Sequence, residues 1–421
     1  MMRLSLPLLL ILAVPAQGEV IGTMQSAPPL TRARIDQLPA AERTAWIAYL
    51  DRSARTLAAD KAALVAERQG MATPPPGPDA GSSGSGMPMN RPAAWYGSAE
   101  ARRIADTIVS FQTPAGGWGK NQNRSAPPRR RGQSYVVIEN LPAYAKSDIE
   151  AIDQSWRYVG TIDNDATLME IRFLARVQSQ VPGAEGAAYR AAALKGLSYL
   201  LGAQLPNGGW PQVYPLQGGY HDAITFNDSA LSGTATLMLD AATREGDFAF
   251  VPADVAQAAA QSARKARDVI LKSQVIVAGK RTIWGQQHDA FTLAPVGARN
   301  FEPAALSSAE SSDLIQFLMK QPDRTPEVEQ AVRDGAAWLE AHALSGVEWD
   351  RAEGRLVEKP GAGPLWSRFY DIHTASPIFG DRDKKIETNV NAISLERRKG
   401  YSWFNINPAK TIAAARAWLQ R

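Results

Sequence analysis

Apolar residues return at three- and four-residue intervals through Ile162, Ala166, Met169, Phe173 and Val177, which predicts a helix with one buried face. The same period predicts helices over residues 186–203, 229–243, 255–273, 304–320, 326–343 and 408–420. The Ala-rich stretch 29–69, with Trp46, Ala48, Tyr49 and Leu50 among charges, reads as one or two more. Residues 365–404 differ. Leu365 to Ile372 alternates like a strand, and Pro377, Gly380 and Gly400 punctuate loops.

One phrase recurs. Helical residues lead into Phe111-Gln-Thr-Pro-Ala-Gly-Gly-Trp118, and later ones into Ala203-Gln-Leu-Pro-Asn-Gly-Gly-Trp210. A degenerate copy runs from Ser273-Gln274 to Ile283-Trp284. Glycine permits a tight turn at positive φ, and the Trp is expected to pack back beneath it. Unless these turns are accidental, repeated helix hairpins joined in this way predict an all-α array, either a toroid or a solenoid, with a few short strands and long loops.

Residues 71–93, with Pro74-Pro-Pro-Gly-Pro and Gly81-Ser-Ser-Gly-Ser-Gly, have linker composition. They separate a helical extension (19–70) from a large domain (94–421). At the start, Arg3 precedes a short apolar run ending near Val14-Pro15-Ala16, the pattern of a signal peptide over residues 1–18. That predicts export to the periplasm or beyond. The run is too short to span a bilayer, and no stable span is expected once it is removed. The chain has no cysteine, which excludes disulfides, thiolate metal sites and a Cys nucleophile. Net charge is +4, and the parts before and after residue 93 carry +2 each. Without a concentrated basic face, nucleic acid is not an expected partner. An acidic substrate in a local cationic cleft is compatible with this balance.

Three clusters could do chemistry. Thr161-Ile-Asp-Asn-Asp-Ala-Thr places Asp163, Asn164 and Asp165 just before a periodic helix, as oxygen ligands for a hard cation or as helix caps. Tyr220-His-Asp-Ala-Ile-Thr-Phe-Asn-Asp-Ser places Asn227 and Asp228 at the next entrance, with the same two readings. Arg368 and Arg382 lie among aromatics and turns, suited to binding carboxylates or to surface ion pairing. Lys120 follows the first Gly-Gly-Trp turn, where it could line the same mouth or be solvated. In Arg299-Asn-Phe-Glu-Pro303, the proline predicts a helix start with Arg299 held on the loop ahead of it. The four histidines show no zinc-protease spacing, and no nucleotide loop or serine elbow is present.

Taken together, Thr113-Pro-Ala-Gly-Gly-Trp-Gly-Lys-Asn121, Thr161 to Thr167, Asn207-Gly-Gly-Trp-Pro-Gln-Val-Tyr-Pro215, Thr225-Phe-Asn-Asp-Ser229, Ala298 to Pro303 and Arg368 to Ile372 resemble the pectate lyases of polysaccharide lyase family ten. The resemblance covers roughly residues 95–420. It implies an (α/α) toroid cleaving polygalacturonate by calcium-assisted β-elimination, acting as a monomer. It implies that Asp163, Asn164 and Asp228 hold Ca2+, and that Arg299 is the base. Arg368, Arg382, Lys120, Tyr220 and Asn227 would then contact the substrate. Asp165 stands where a small residue is expected, so the metal site could differ in affinity. The rivals are a non-catalytic carbohydrate-binding α/α toroid and a terpene cyclase, whose acidic motifs this sequence lacks.

Overall fold

The computed structural model describes residues 18–141 and 149–421, so the expected signal peptide lies outside the described residues except for Gly18. The protein is mostly helical. Its helices are α1 (Arg32–Ile35), α2 (Ala40–Arg68), α3 (Ala99–Ser110), α4 (Ile149–Ser155), α5 (Leu168–Gln180), α6 (Ala187–Ala203), α7 (Ala230–Thr243), α8 (Ala253–Ser273), α9 (Ser308–Met319), α10 (Pro326–Ala341), α11 (Leu395–Gly400) and α12 (Asn407–Leu419). The strands are short and pair in small ladders. Among the described residues no helix is long and apolar enough to cross a membrane.

The recurring Gln–Gly–Trp phrase is one hydrogen-bonding device used three times. The buried indoles of Trp118, Trp210 and Trp284 donate to the carbonyls of Ile108 (2.7 Å), Leu200 (2.8 Å) and Ile270 (2.7 Å) near the ends of α3, α6 and α8. Each gives a donor to a carbonyl in the last turn of its helix, where the regular intrahelical bonds run out. The glutamines bridge outward. Gln112 Nε2 reaches Gly116 O and Ala192 O, Gln204 Nε2 reaches Gly208 O and Ser262 O, and Gln274 Nε2 reaches Thr282 O and Ala331 O. Every glutamine thus ties its own turn to the following helix of the same row. Gly208 shows why glycine is needed in the turn: its φ is +102°, and a Cβ there would lie 2.4 Å from Lys265 O. Trp366 repeats the indole bond to Leu339 O (2.6 Å) after α10, without the glutamine or glycines that would have marked it in the sequence.

These ties set α3, α6, α8 and α10 side by side as one row, and α5, α7, α9 and α12 as a second row packed on it. One continuous hydrophobic cluster fills the space between them. The loops that lead into the second row carry the polar residues described below.

Two expectations need correcting. The helix expected over 304–320 begins only at Ser308, because Leu306 and Ser307 pair antiparallel with Tyr370 and Phe369. Pro303 therefore lies in the preceding loop, and Arg299 is not held by a helix start. The stretch 71–93 also makes fixed contacts: Met87 is buried, and Ser82 O accepts from Arg124 Nη1 at 3.0 Å.

The N-terminal helix is docked. Trp46 and Tyr49 of α2 enter the main core, and Tyr49 Oη donates to Ala203 O at 2.8 Å. Asp60 Oδ1 accepts from Ala115 N at 2.8 Å, while its Oδ2 is buried without a partner. Burial pushes the Asp60 carboxyl up to about 6, against the lowering effects of the Ala115 bond and Lys195. A carboxyl raised in the folded state stabilises fully below its unfolded value and loses that contribution as pH rises through the folded value. Asp60→Asn keeps the acceptor and removes the charge. Its unfolding midpoint should gain on the wild type by a few degrees between about pH 4 and 6 and level off above that. A difference independent of pH would contradict this assignment.

Candidate functional site

Two turns of the same shape form the floor of the site. Asp163–Asp165 and Asn227–Ser229 each make one 3-10 turn before α5 and α7. In both the backbone becomes left-handed, at Asn164 (φ 54°) and Asp165 (φ 61°) and at Asp228 (φ 49°) and Ser229 (φ 58°). Asn and Asp tolerate this region better than other side chains, which accounts for those residues here. Thr167, β-branched at φ 65°, is strained and is held by accepting a hydrogen bond from Trp118 N at 3.1 Å. The N-cap positions of α5 and α7 are Thr167 and Ser229, and neither makes a side-chain cap bond. Capping therefore does not explain Asp163 or Asp228.

The two turns face a cleft of about 230 Å³ lined by Lys120, Tyr158, Asp163, Asn164, Tyr220, Asn227, Asp228, Arg299 and Glu302, with Gln212, Gln286 and Gln287. Seven of the nine residues to which the resemblance gives a role meet here. Arg368 lies behind the wall: its Nη2 donates to Asn227 Oδ1 at 2.9 Å and pairs with buried Glu310, and its guanidinium sits 4.8 Å from the Tyr401 ring. Arg382 is outside the cleft, exposed and paired with Glu396 at 2.9 Å, with its guanidinium 5.7 Å from the Phe301 ring.

Arg299 enters on a loop closed by Glu302. Its Nε donates to Glu302 Oε2 at 2.8 Å and its Nη2 to Oε1 at 2.5 Å, a bidentate clamp that fixes the plane of the guanidinium. Glu302 is buried. It also accepts from Tyr401 Oη at 2.8 Å and from Gln286 Nε2 at 3.3 Å. Gln286 Nε2 in turn donates to Asn227 Oδ1 at 2.7 Å, and Asn227 Nδ2 donates to Asp228 Oδ2 at 2.8 Å. The cationic wall and the acidic floor are thus one network. Of its connectors, Glu302 sat in the quoted Arg-Asn-Phe-Glu-Pro phrase with no role assigned. Gln286 and Tyr401 carried no sequence signal, since their partners are far away in the chain.

Burial first, and neighbouring charges second, shift the protonation equilibria here. Burial pushes the Asp228 carboxyl up, and the Asp163 charge adds to the shift. Asp165 is raised by burial and by Asp228. It lines a neighbouring groove with Ser229 and Asp313 rather than the cleft. Partial burial pulls the Arg299 guanidinium down, but the Glu302 hydrogen bonds and charge override this and hold it above its ordinary value. The Lys120 ammonium pairs with Asp163 and lies 4.8 Å from the Tyr158 ring. His221, its Nδ1 2.7 Å from Gln212 Oε1, is pushed down to about 4 by burial first and then by Arg157, so it is neutral near pH 7.

The floor presents only oxygen donors, the Asp163 and Asp228 carboxylates and the Asn164 amide, which suits a hard cation. The repulsion between the two acids and the ammonium on Asp163 both show a place where positive charge is favoured. Among the described residues, no group of three or more His, Cys, Asp or Glu side chains is placed to hold an ion. These donors therefore fit calcium only as part of a coordination sphere completed by other oxygens.

The comparisons agree with one another. The sequence model of a family described as pectic acid lyase matches residues 112–412. Two solved structures of a family 10 polysaccharide lyase from Cellvibrio cellulosa are similar, each 32% identical with a TM-score of 0.65 over 77% of this chain. The matches cover 95% of a point mutant in complex with trigalacturonic acid and 94% of the second structure. No functionally curated protein matches.

Proposed function

This chain belongs to the pectic acid lyase family and is a polysaccharide lyase, and from that premise we propose that it cleaves polygalacturonate by β-elimination with calcium assistance. The observation that carries the proposal is the convergence of Asp163, Asp228 and Arg299 on one cleft. In the same reading the two helix rows close into an (α/α) toroid and residues 94–421 are the catalytic unit. The protein is exported after loss of residues 1–18 and works as a monomer.

The reaction removes the proton from C5 of a uronate, forms the C4–C5 double bond and breaks the bond from C4 to the glycosidic oxygen, which takes a proton from water. Negative charge builds on the uronate carboxylate as the C5 proton leaves. Asp163, Asp228 and Asn164 would hold the calcium ion, which supplies positive charge beside that carboxylate. Lys120 adds a second cation at the same mouth, and Tyr158 and Tyr220 offer flat faces and hydroxyls to the sugar. Arg368 acts from behind the wall by holding Asn227, and through it Asp228, in place. Arg382 could reach the substrate only beyond the cleft, on the rim beside Phe301.

Arg299 faces the C5 proton. The carboxylate of Glu302 stabilises its charged form, so depression of its pKa by neighbouring cations is not the favoured route to a base. A hydroxide oriented by the clamped guanidinium fits better, because the fork is planar and fixed. Either route makes the rate rise toward alkaline pH. With polygalacturonate and calcium, absorbance of the unsaturated product should increase from neutral to alkaline pH and disappear with chelator. A flat profile would contradict the proposed base. Binding without product under these conditions would leave a non-catalytic carbohydrate-binding role.

A further inference from the structure

The family match begins at residue 112, yet two stretches before it touch the elements that form the cleft. The first is a strand at the start of the described chain. Val20–Thr23 pairs antiparallel with Lys385–Glu387, and Met24 N donates to Lys384 O at 2.8 Å. The backbone then runs along the Arg299 loop. Ala27 N donates to Gly297 O at 2.8 Å and Ser26 Oγ donates to Ala298 O at 2.8 Å, on the two residues immediately before Arg299. The approach is so close that a Cβ on Gly297 would lie 2.3 Å from Gln25 O.

The second stretch is the Gly/Ser run. Ala80 bridges Gln122, and Gly81 N donates to Asn121 O at 2.7 Å. Asn121 Oδ1 accepts from Asn164 Nδ2 at 3.3 Å, inside the acidic turn. Gly84 lies directly on that turn, where a Cβ would be 2.6 Å from both the carbonyl carbon and oxygen of Asp165. Glycine here serves close approach of two backbones, not looseness of a tether. The turn it touches has left-handed backbone at Asn164 and Asp165.

We infer that the N-terminal arm, residues 19–93, is a positioning part of the active site: Ser26 holds the loop that carries Arg299, and Gly84 seats the arm against the turn that carries Asp163 and Asn164. The inference rests on the reading of the cleft as the lyase site. It makes the arm bear on both halves of the reaction, the acidic floor and the arginine wall. A purely structural extension would bear on stability alone.

The test uses the full-length protein. In an Arg299→Ala background, where turnover is blocked, titration calorimetry measures the affinity for trigalacturonate with calcium chloride. Adding Gly84→Ala should weaken that affinity about tenfold, since displacement of a positioned group by a fraction of an ångström is costly. In the otherwise unaltered enzyme, Ser26→Ala removes one exposed hydroxyl. It should lower kcat about fivefold while leaving KM and the thermal midpoint unchanged, as expected for loss of one hydrogen bond that matters only for orientation. Unchanged affinity in the first variant together with unchanged kcat in the second overturns the inference. Should Gly84→Ala fail to fold, Ser26→Ala decides alone. If the Arg299→Ala parent does not bind trigalacturonate with calcium, the lyase reading of the cleft fails instead.

Discussion

Arg299→Ala is expected to lower turnover of polygalacturonate by at least about a thousandfold at saturating calcium, within the range for removing a group that handles the transferred proton. The physical case rests on the clamp. Glu302 fixes both the plane and the charge of the guanidinium, so a hydroxide or a departing proton meets donors whose orientation is already set. The fold should survive. Glu302 keeps Tyr401 Oη, Gln286 Nε2 and the backbone N–H of residue 299, the last at 3.0 Å, so the buried carboxylate is not stranded. Arg299→Lys sharpens the test. An ammonium can still pair with Glu302 and preserve stability, but it lacks the planar fork, so turnover should stay low. Product formation is followed by ultraviolet absorbance and folding by thermal unfolding. Activity in Arg299→Ala within tenfold of wild type would remove Arg299 from the mechanism.

Asp228→Asn should move activity and stability in opposite directions. Asn accepts the left-handed backbone at this position as readily as Asp, so the turn keeps its shape. Activity with polygalacturonate should fall by about 10²–10³, the scale for losing one preorganised charge at a reacting centre. The calcium-free protein, however, should become more stable at pH 8. Burial and the Asp163 charge raise the folded carboxyl above its unfolded value, so its ionised form costs stability once pH exceeds the folded value. That gain should vanish near pH 3, where the acid is protonated in both states. Added calcium should raise the unfolding midpoint of the wild type and leave that of the variant almost unmoved. A variant less stable than wild type at pH 8 without calcium would mean that Asp228 is structural.

Individual residues show which features could be read from the sequence. Trp118, Trp210 and Trp284 were legible as a repeat because each indole bonds to a helix end only a short way back in the chain. Trp366 obeys the same rule without the glutamine and glycines, and so gave no sign. Asp163, Asn164, Asn227, Asp228 and Arg299 stood in phrases that resemble a known family, and the cleft brings them together. Capping and metal binding could not be separated for the two acidic turns, because both put oxygen side chains at a helix entrance. The missing cap bonds at Thr167 and Ser229 remove the capping reading. The helix read into Pro303–Ala305 lost to a ladder between Leu306–Ser307 and Phe369–Tyr370, a partner that periodicity cannot see.

What the amino-acid order determined by itself is local: the helical period, the glycine turns and the two acidic turns are set by groups within a few residues of one another, and the capping indoles by carbonyls 10 to 14 residues back. What only the tertiary structure decided is which distant groups share a charge or a surface. It gave Arg299 its Glu302–Tyr401 seat, placed Arg368 behind Asn227, left Arg382 on the rim, and laid the Gly/Ser run against Asp165. The reason is physical. Backbone propensity and hydrophobic period act over one turn of chain, whereas ion pairing, burial and close approach depend on separation in space, which folding sets for residues remote in sequence.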